Sequence, residues 1–309
     1  MLPCVHCGRK EGSQIRISAL IGGHVATGFL IDDEELGRLL PEFIEIYSDR
    51  PIHDNSGGMD FNHSFATYCI AKKVSPQFIV ESGVWKGHST WLFEQACPLA
   101  DIICIDPRPD FRQYTSNQAS YRTEDFGMID WSFVEPDQTL CFFDDHQNAY
   151  QRLMQLKWWG FSRAIFEDNF PCGEGDSYSL RHVFAGFGHP RQQMSAAYQP
   201  TDQENRLRAA RADQVLHSIH DRQSIVRRPN KVDAAALEKN LEIYQEIRPV
   251  HRYDTNNWGG EWIDHYESLS PLFDELPNNE LGLALEGIEL SNPGKAFLYG
   301  YICFVELRV

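Results

Sequence analysis

Apolar residues recur along the chain at two different spacings, and the change of spacing divides it. Leu36, Leu39, Leu40, Phe43 and Ile44 fall at helical intervals behind Asp32, with Glu35 three residues on, which predicts a capped helix from Asp32 to Tyr47. A second helix is expected over Met59–Lys73, after the turn Asn55-Ser56-Gly57-Gly58. From Pro76 onward the apolar positions close up into short runs: Phe78–Val84, Asp101–Ile105, Trp131–Glu135, Thr139–Phe143 and Arg163–Phe166. Helical patterns separate several of them, notably Ser89–Ala96 and Asn148–Trp159. Near-continuous apolar strands with helices between them predict a parallel sheet covered on both faces.

The rhythm breaks after about residue 186. Thr201-Asp202-Gln203-Glu204 is a capping box opening a charged helix. Asp233 to Ile247 reads as another helix, with Leu237, Leu241, Tyr244 and Ile247 on one stripe. Residues 186–250 are therefore expected to be a helical insertion that caps the sheet. Strand signals return at Leu281–Leu290 and Lys295–Arg308, the latter rich in β-branched and aromatic residues, as a closing antiparallel strand should be. The expected organisation is an N-terminal extension with helices over 1–75, then one α/β domain over 76–309.

Bulk properties narrow the function. The 309 residues are 42% hydrophobic, enough for a sizeable core. A net charge of −16 repels phosphate backbones, so nucleic acid is not an expected partner. No run of 18 apolar residues encodes a membrane span, and the first residues lack the apolar stretch of a secretory signal. Cys104, Cys141 and Cys303, three of the eight cysteines, lie inside apolar runs, where a thiol behaves as a small hydrophobe. A reduced, cytoplasmic setting is expected, with an endomembrane lumen as the alternative. Cys4 and Cys7 have C-x-x-C spacing, but without a second pair they do not complete a zinc site.

The candidate chemistry sits where apolar runs end. Glu81, Gly83 and Gly87 form E-x-G-x-x-x-G, and His88-Ser89-Thr90 starts a helix just behind. Small residues let the chain turn tightly, and a helix N-terminus points N–H groups into the turn. Asp106 ends the next apolar run, about 25 residues after Glu81, a distance that suits a carboxylate meeting a ribose. This spacing differs from the dinucleotide fingerprint and suits a ligand with a ribose but no diphosphate. Asp144-Asp145-His146 and Glu167-Asp168-Asn169 end two further runs. If those strands are neighbours, their acids converge as hard oxygen donors for Mg²⁺ or a similar ion. The alternatives are N-capping by the aspartates and a structural role for His146 beside a general-base one. Gly173-Glu174-Gly175-Asp176-Ser177 reads equally as a lid and as a turn, and Trp258-Gly259-Gly260-Glu261-Trp262 reads as packing ahead of ligand stacking.

On these residues the chain resembles class I S-adenosylmethionine-dependent methyltransferases, over roughly 78–170 and loosely at the last strand. Gly83 to Thr90 is similar to a subgroup of small-molecule and sugar O-methyltransferases and cephalosporin hydroxylase-like proteins. FFDDHQNAYQRL and GFSRAIFEDNFPCGEGDSYSLR also resemble an uncharacterised group of plant and algal methyltransferase-like proteins. The resemblance implies a doubly wound, Rossmann-like, seven-stranded sheet, mostly parallel, with an antiparallel last strand. It implies S-adenosylmethionine as cofactor. Glu81, Gly83, Val84, Trp85, Lys86, Gly87 and Ser89 would surround its amino-acid part, Asp106 would meet its ribose, and Asp144 would lie beside it. Asp145, Glu167 and Asp168 would hold Mg²⁺, and His146 with Asp145 would act on a hydroxyl of a small molecule or sugar. A non-catalytic scaffold and a hydroxylase-like activity on the same fold are the rival implications, and a homo-oligomer is compatible with all three.

Overall fold

Strand order, more than strand content, decides what this chain can bind. In the computed structural model, which describes residues 28–170, 177–184, 234–250, 271–291 and 301–308, seven strands form one sheet in the order β3-β2-β1-β4-β5-β7-β6. They are β1 (Phe78–Ser82), β2 (Asp101–Ile105), β3 (Ala119–Arg122), β4 (Thr139–Phe143), β5 (Arg163–Phe166), β6 (Leu241–Glu246) and β7 (Cys303–Leu307). β1 to β5 are mutually parallel, and β7 runs antiparallel to both of its neighbours. The expected doubly wound, mostly parallel sheet with an antiparallel last strand is therefore present.

Alternation along each strand explains the two-faced core. Ile79, Cys104, Leu140 and Phe142 pack on one face, with α1 (Asp33–Ser48), α2 (Phe61–Val74) and α3 (His88–Ala96). Val80, Ile103, Cys141 and Phe143 pack on the other, with α4 (Ala149–Trp159) and the segment holding Phe126 and Trp131. Successive side chains of a strand point to opposite faces, so a parallel strand covered on both sides has no polar register to show. Helix starts follow the expected chemistry: Asp32 Oδ1 accepts from Glu35 N at 2.8 Å, and Asn148 Oδ1 accepts from Gln151 N at 3.0 Å.

Five elements differ from the sequence reading. Trp131–Glu135 is not a strand: Trp131 is buried and donates its Nε1–H to Phe126 O at 3.0 Å, folding the segment under the sheet. The edge strand β3 went unread, because Ala-Ser-Tyr-Arg has no apolar run. Residues 233–247 split into a short helix, Ala234–Asn240, and strand β6, so the proposed insertion gives its last residues to the sheet. Leu281–Leu290 is helical, within Glu280–Ser291, and not a strand. The closing strand is shorter than expected, at Cys303–Leu307. Among the described residues no helix is long and apolar enough to cross a membrane. The Cys4–Cys7 pair, the Thr201 capping box, Gly173–Asp176 and the Trp258–Trp262 segment lie outside the described residues.

Candidate functional site

Because β2, β1, β4 and β5 are adjacent and parallel, their C-terminal ends share one rim, the place where open α/β sheets bind ligands. Backbone bonds tie that rim together beyond the strands. Gly83 N donates to Ile105 O at 2.9 Å, Asp144 N to Ser82 O at 2.8 Å, and Glu167 N to Phe143 O at 3.0 Å. The rim is so close at Gly83 that a Cβ there would stand 2.0 Å from Asp144 O. Gly83 (φ +97°), Trp85 (φ +50°) and Gly87 (φ +94°) all have left-handed backbone, which makes the turn after β1 tight. Gly87 then caps α3 with no side-chain hydrogen bond of its own at the helix N-terminus behind the turn.

Two carboxylates shape this turn. Asp106 Oδ2 accepts from Val84 N at 3.1 Å and Trp85 N at 2.8 Å, and its Oδ1 accepts from Arg108 N at 2.7 Å. A carboxylate has about four acceptor positions, so one is left for a hydroxyl. Glu81 points beneath the turn instead of into it. It is fully buried and accepts from Ser89 Oγ, from Thr90 Oγ1 at 2.6 Å and from Cys104 Sγ at 3.0 Å. Burial raises its pKa against those donors. Ser89 is thereby turned into the core with it. On the outer side Trp85 stacks on Phe111 with centroids 4.8 Å apart, and Lys86 Nζ donates to Asp54 O at 2.6 Å.

The second half of the site lies across the β4 and β5 ends. Asp144, His146 and Asp168 each offer a ligand atom, and these atoms lie within 4.8 Å of one another. His146 Nδ1 is 3.1 Å from Asp168 Oδ2, and its left-handed backbone, φ +53°, turns the ring toward β5. Burial pushes the Asp144 carboxyl well above its ordinary range, and the charges of Glu167 and Asp168 push it further. Crowded acids with an imidazole alongside fit a divalent cation, which would relieve that repulsion. A small cavity opens here, lined by Asp145, His146, Arg152, Phe166, Asp168 and their neighbours.

Of the neighbouring acids, Asp145 lines this cavity while its oxygens are engaged by other side chains, and Glu167 is bound to α2. Asp145 Oδ2 accepts from Ser82 Oγ at 2.7 Å and from Arg152 Nε at 3.0 Å. Glu167 Oε1 lies 2.6 Å from His63 Nδ1 on α2. Tyr301 N donates to His63 Nε2 at 3.3 Å, so the His63 proton sits on Nδ1 and points at Glu167. Of the expected acids, then, the structure gathers Asp144 and Asp168 with His146, and ties Asp145 and Glu167 to cations or donors behind them. His63 and Arg152 were not singled out in the sequence. Arg152 had a readable signal, a charge on the buried stripe Ala149, Leu153, Leu156 of α4. His63 had none, because α2 is buried on nearly every side.

No protein-family model matches the chain, and no curated protein matches it. Solved structures overlap it in part. The apo structure of CmcI-N160 shares 18% identity over 35% of this chain and 52% of that one, with a TM-score of 0.28. The O-methyltransferase TomG of Streptomyces achromogenes, involved in tomaymycin synthesis and solved in complex with SAM, shares 13% identity over 44% and 66%, with a TM-score of 0.31. The SAH-bound methyltransferase PaMTH1 of Podospora anserina shares 14% over 46% and 73%, with a TM-score of 0.29. The chain spans between half and two thirds of the first two. At such overlap no residue role passes from those proteins to this chain.

Proposed function

We propose that this protein transfers a methyl group from S-adenosylmethionine to a hydroxyl of a small molecule or sugar, assisted by a divalent cation. One observation carries the reading: a tight glycine turn, a helix N-terminus capped only by glycine, an acid with an acceptor position to spare and a cluster of two acids with an imidazole meet on one rim of a parallel sheet. The α3 N-terminus suits the carboxylate of an amino acid. The remaining acceptor position of Asp106 suits a ribose hydroxyl. The absence of a third close glycine suits a ligand without a diphosphate. Glu81 and Ser89 serve by holding the turn from below, and not by touching the cofactor.

Asp144, His146 and Asp168 would hold the cation. When bound there, such an ion supplies a Lewis acid that lowers the pKa of the acceptor hydroxyl. Methyl transfer is a displacement at a sulfonium carbon, so alignment of donor and acceptor by the rim supplies much of the rate. In this reading His146 is a cation donor rather than a separate base, and Asp145 supports the corner from behind.

Calorimetric titration with S-adenosylmethionine tests the reading. A saturable heat near one site per chain is expected. Asp106→Ala should weaken binding about tenfold or more, the scale of one charge-assisted hydrogen bond, about 1.5–3 kcal/mol. No heat and no thermal shift at millimolar cofactor would refute it.

A further inference from the structure

We propose that Arg152 is a positioning residue that sorts the two adjacent aspartates, capturing Asp145 so that Asp144 and His146 are presented to the cation. The inference rests on the cation cluster proposed above and concerns how it is built. Arg152 is almost completely buried, with 4% of its side chain exposed. Its guanidinium spans two acids from different parts of the chain. Nη1 and Nη2 meet Asp125 at 3.1 and 2.6 Å, while Nε and Nη2 meet Asp145 at 3.0 and 2.8 Å. Asp125 leads the short turn Phe126–Met128, below the sheet end, and Asp145 leads the corner after β4. Ser82, the last residue of β1, closes the set by donating to Asp145 Oδ2.

The geometry explains a need for such a clamp. Asp144 is joined to β1 through its backbone, but His146 adopts left-handed backbone, which is uncommon for a residue with a side chain and is more readily kept where its neighbours are anchored. Asp145 sits between the two and is anchored from β1, from α4 and by Gln147 N, which donates to Oδ1 at 3.1 Å. A planar fork engages two carboxylates at once in fixed directions, which a point charge does not. Loosening the fork therefore releases the corner without touching a ligand atom.

Electrostatics alone makes the opposite forecast, and that separates the two. Arg152 is a positive charge near a cation site. If it mattered only as a charge, or if Asp145 were itself a ligand awaiting release, Arg152→Gln would tighten cation binding. If it positions, binding weakens.

Mn²⁺ alone, followed by electron paramagnetic resonance of the free ion, is the probe, with S-adenosylmethionine affinity measured in parallel. Arg152→Gln should weaken Mn²⁺ binding tenfold or more and leave the cofactor within threefold. Ser82→Ala, which removes one anchor and is expected to fold, should weaken Mn²⁺ severalfold. Asp125→Asn loosens the fork from its other end, so it should weaken Mn²⁺ severalfold, less than Arg152→Gln, and leave the cofactor within threefold. Unchanged or tighter Mn²⁺ binding in Arg152→Gln overturns the inference. Should that variant fail to fold, unchanged binding in Ser82→Ala does so. A wild-type protein that binds S-adenosylmethionine and no Mn²⁺ overturns the cation cluster itself, and this inference with it.

Discussion

Asp60 caps α2 from a position that water does not reach. Its Oδ1 accepts from His63 N at 3.0 Å, while its Oδ2 has no hydrogen-bond partner among the described residues. Burial pushes its pKa up to about 7, against the backbone N–H of His63, with Glu167 adding to the rise. The folded-state value therefore lies above the unfolded one, so the native state binds the extra proton. The contribution of Asp60 to stability is fully present below about pH 4, falls as the pH rises toward about 7, and is lost beyond it. Asp60→Asn keeps a good cap and removes the charge. It should flatten that slope and raise stability at pH 8 by about 1–3 kcal/mol, read from urea midpoints at pH 5 and pH 8. An unchanged slope would show that the carboxyl titrates as if exposed. Glycines give a second contrast at this scale. Gly83→Ala puts a methyl group against backbone at left-handed φ and should lower stability by about 2 kcal/mol or more. Gly37, exposed on α1 with nothing within 4 Å, should instead gain about 0.5–1 kcal/mol on change to Ala. Thermal melts of the two variants should move in opposite directions.

Elements were legible where one periodicity was clean. α1 and the strands β1, β2, β4 and β5 were all readable, because their apolar residues obey a single period or form a single run. Leu237, Leu241 and Tyr244 fit a helical stripe equally well, yet Leu241 onward pairs with β7. β7 pairs with β5 on one side and takes Leu241–Glu246 as its outer neighbour, and that tertiary pairing overrode local pattern. Leu281, Leu285 and Ile288 carry helical spacing that the dense leucines of the segment disguised as a strand run. The site had the same split. Gly83, Gly87, Asp106, Asp144 and Asp168 could be placed because they follow strand ends. Which of two adjacent acids faces the rim depended on Arg152 and His63, whose partners are remote in sequence. Hydrogen exchange can check the revised element. Amides of 241–246 should be protected at alternate positions, as in an edge strand, and continuous protection from 234 through 246 would restore the helix.

At the scale of the whole molecule, the N-terminal helices are bound into the sheet's own core. Phe43 of α1 is fully buried and meets the rings of Phe61, Phe65 and Tyr68 at 5.3–5.4 Å. The same cluster continues through Leu92 and Phe93 of α3 to Ile79 and Phe142 of the sheet. Removing residues 1–75 would strip one face of β1 and β4 of its cover and expose that apolar surface to water. Burial of a large aromatic or aliphatic side chain contributes about 1.5–3 kcal/mol, and a domain has only about 5–15 kcal/mol in hand. Losing several such residues at once exceeds that margin. α2 also carries Asp60 and His63, and His63 holds Glu167 beside Asp168, so the same helix supports both the core and the rim. A chain of residues 76–309 should therefore bind hydrophobic dyes strongly, show no cooperative thermal transition and give no heat with S-adenosylmethionine. A sharp melt with retained cofactor binding would instead make α1 and α2 an appendage, and would place the boundary at Pro76 after all.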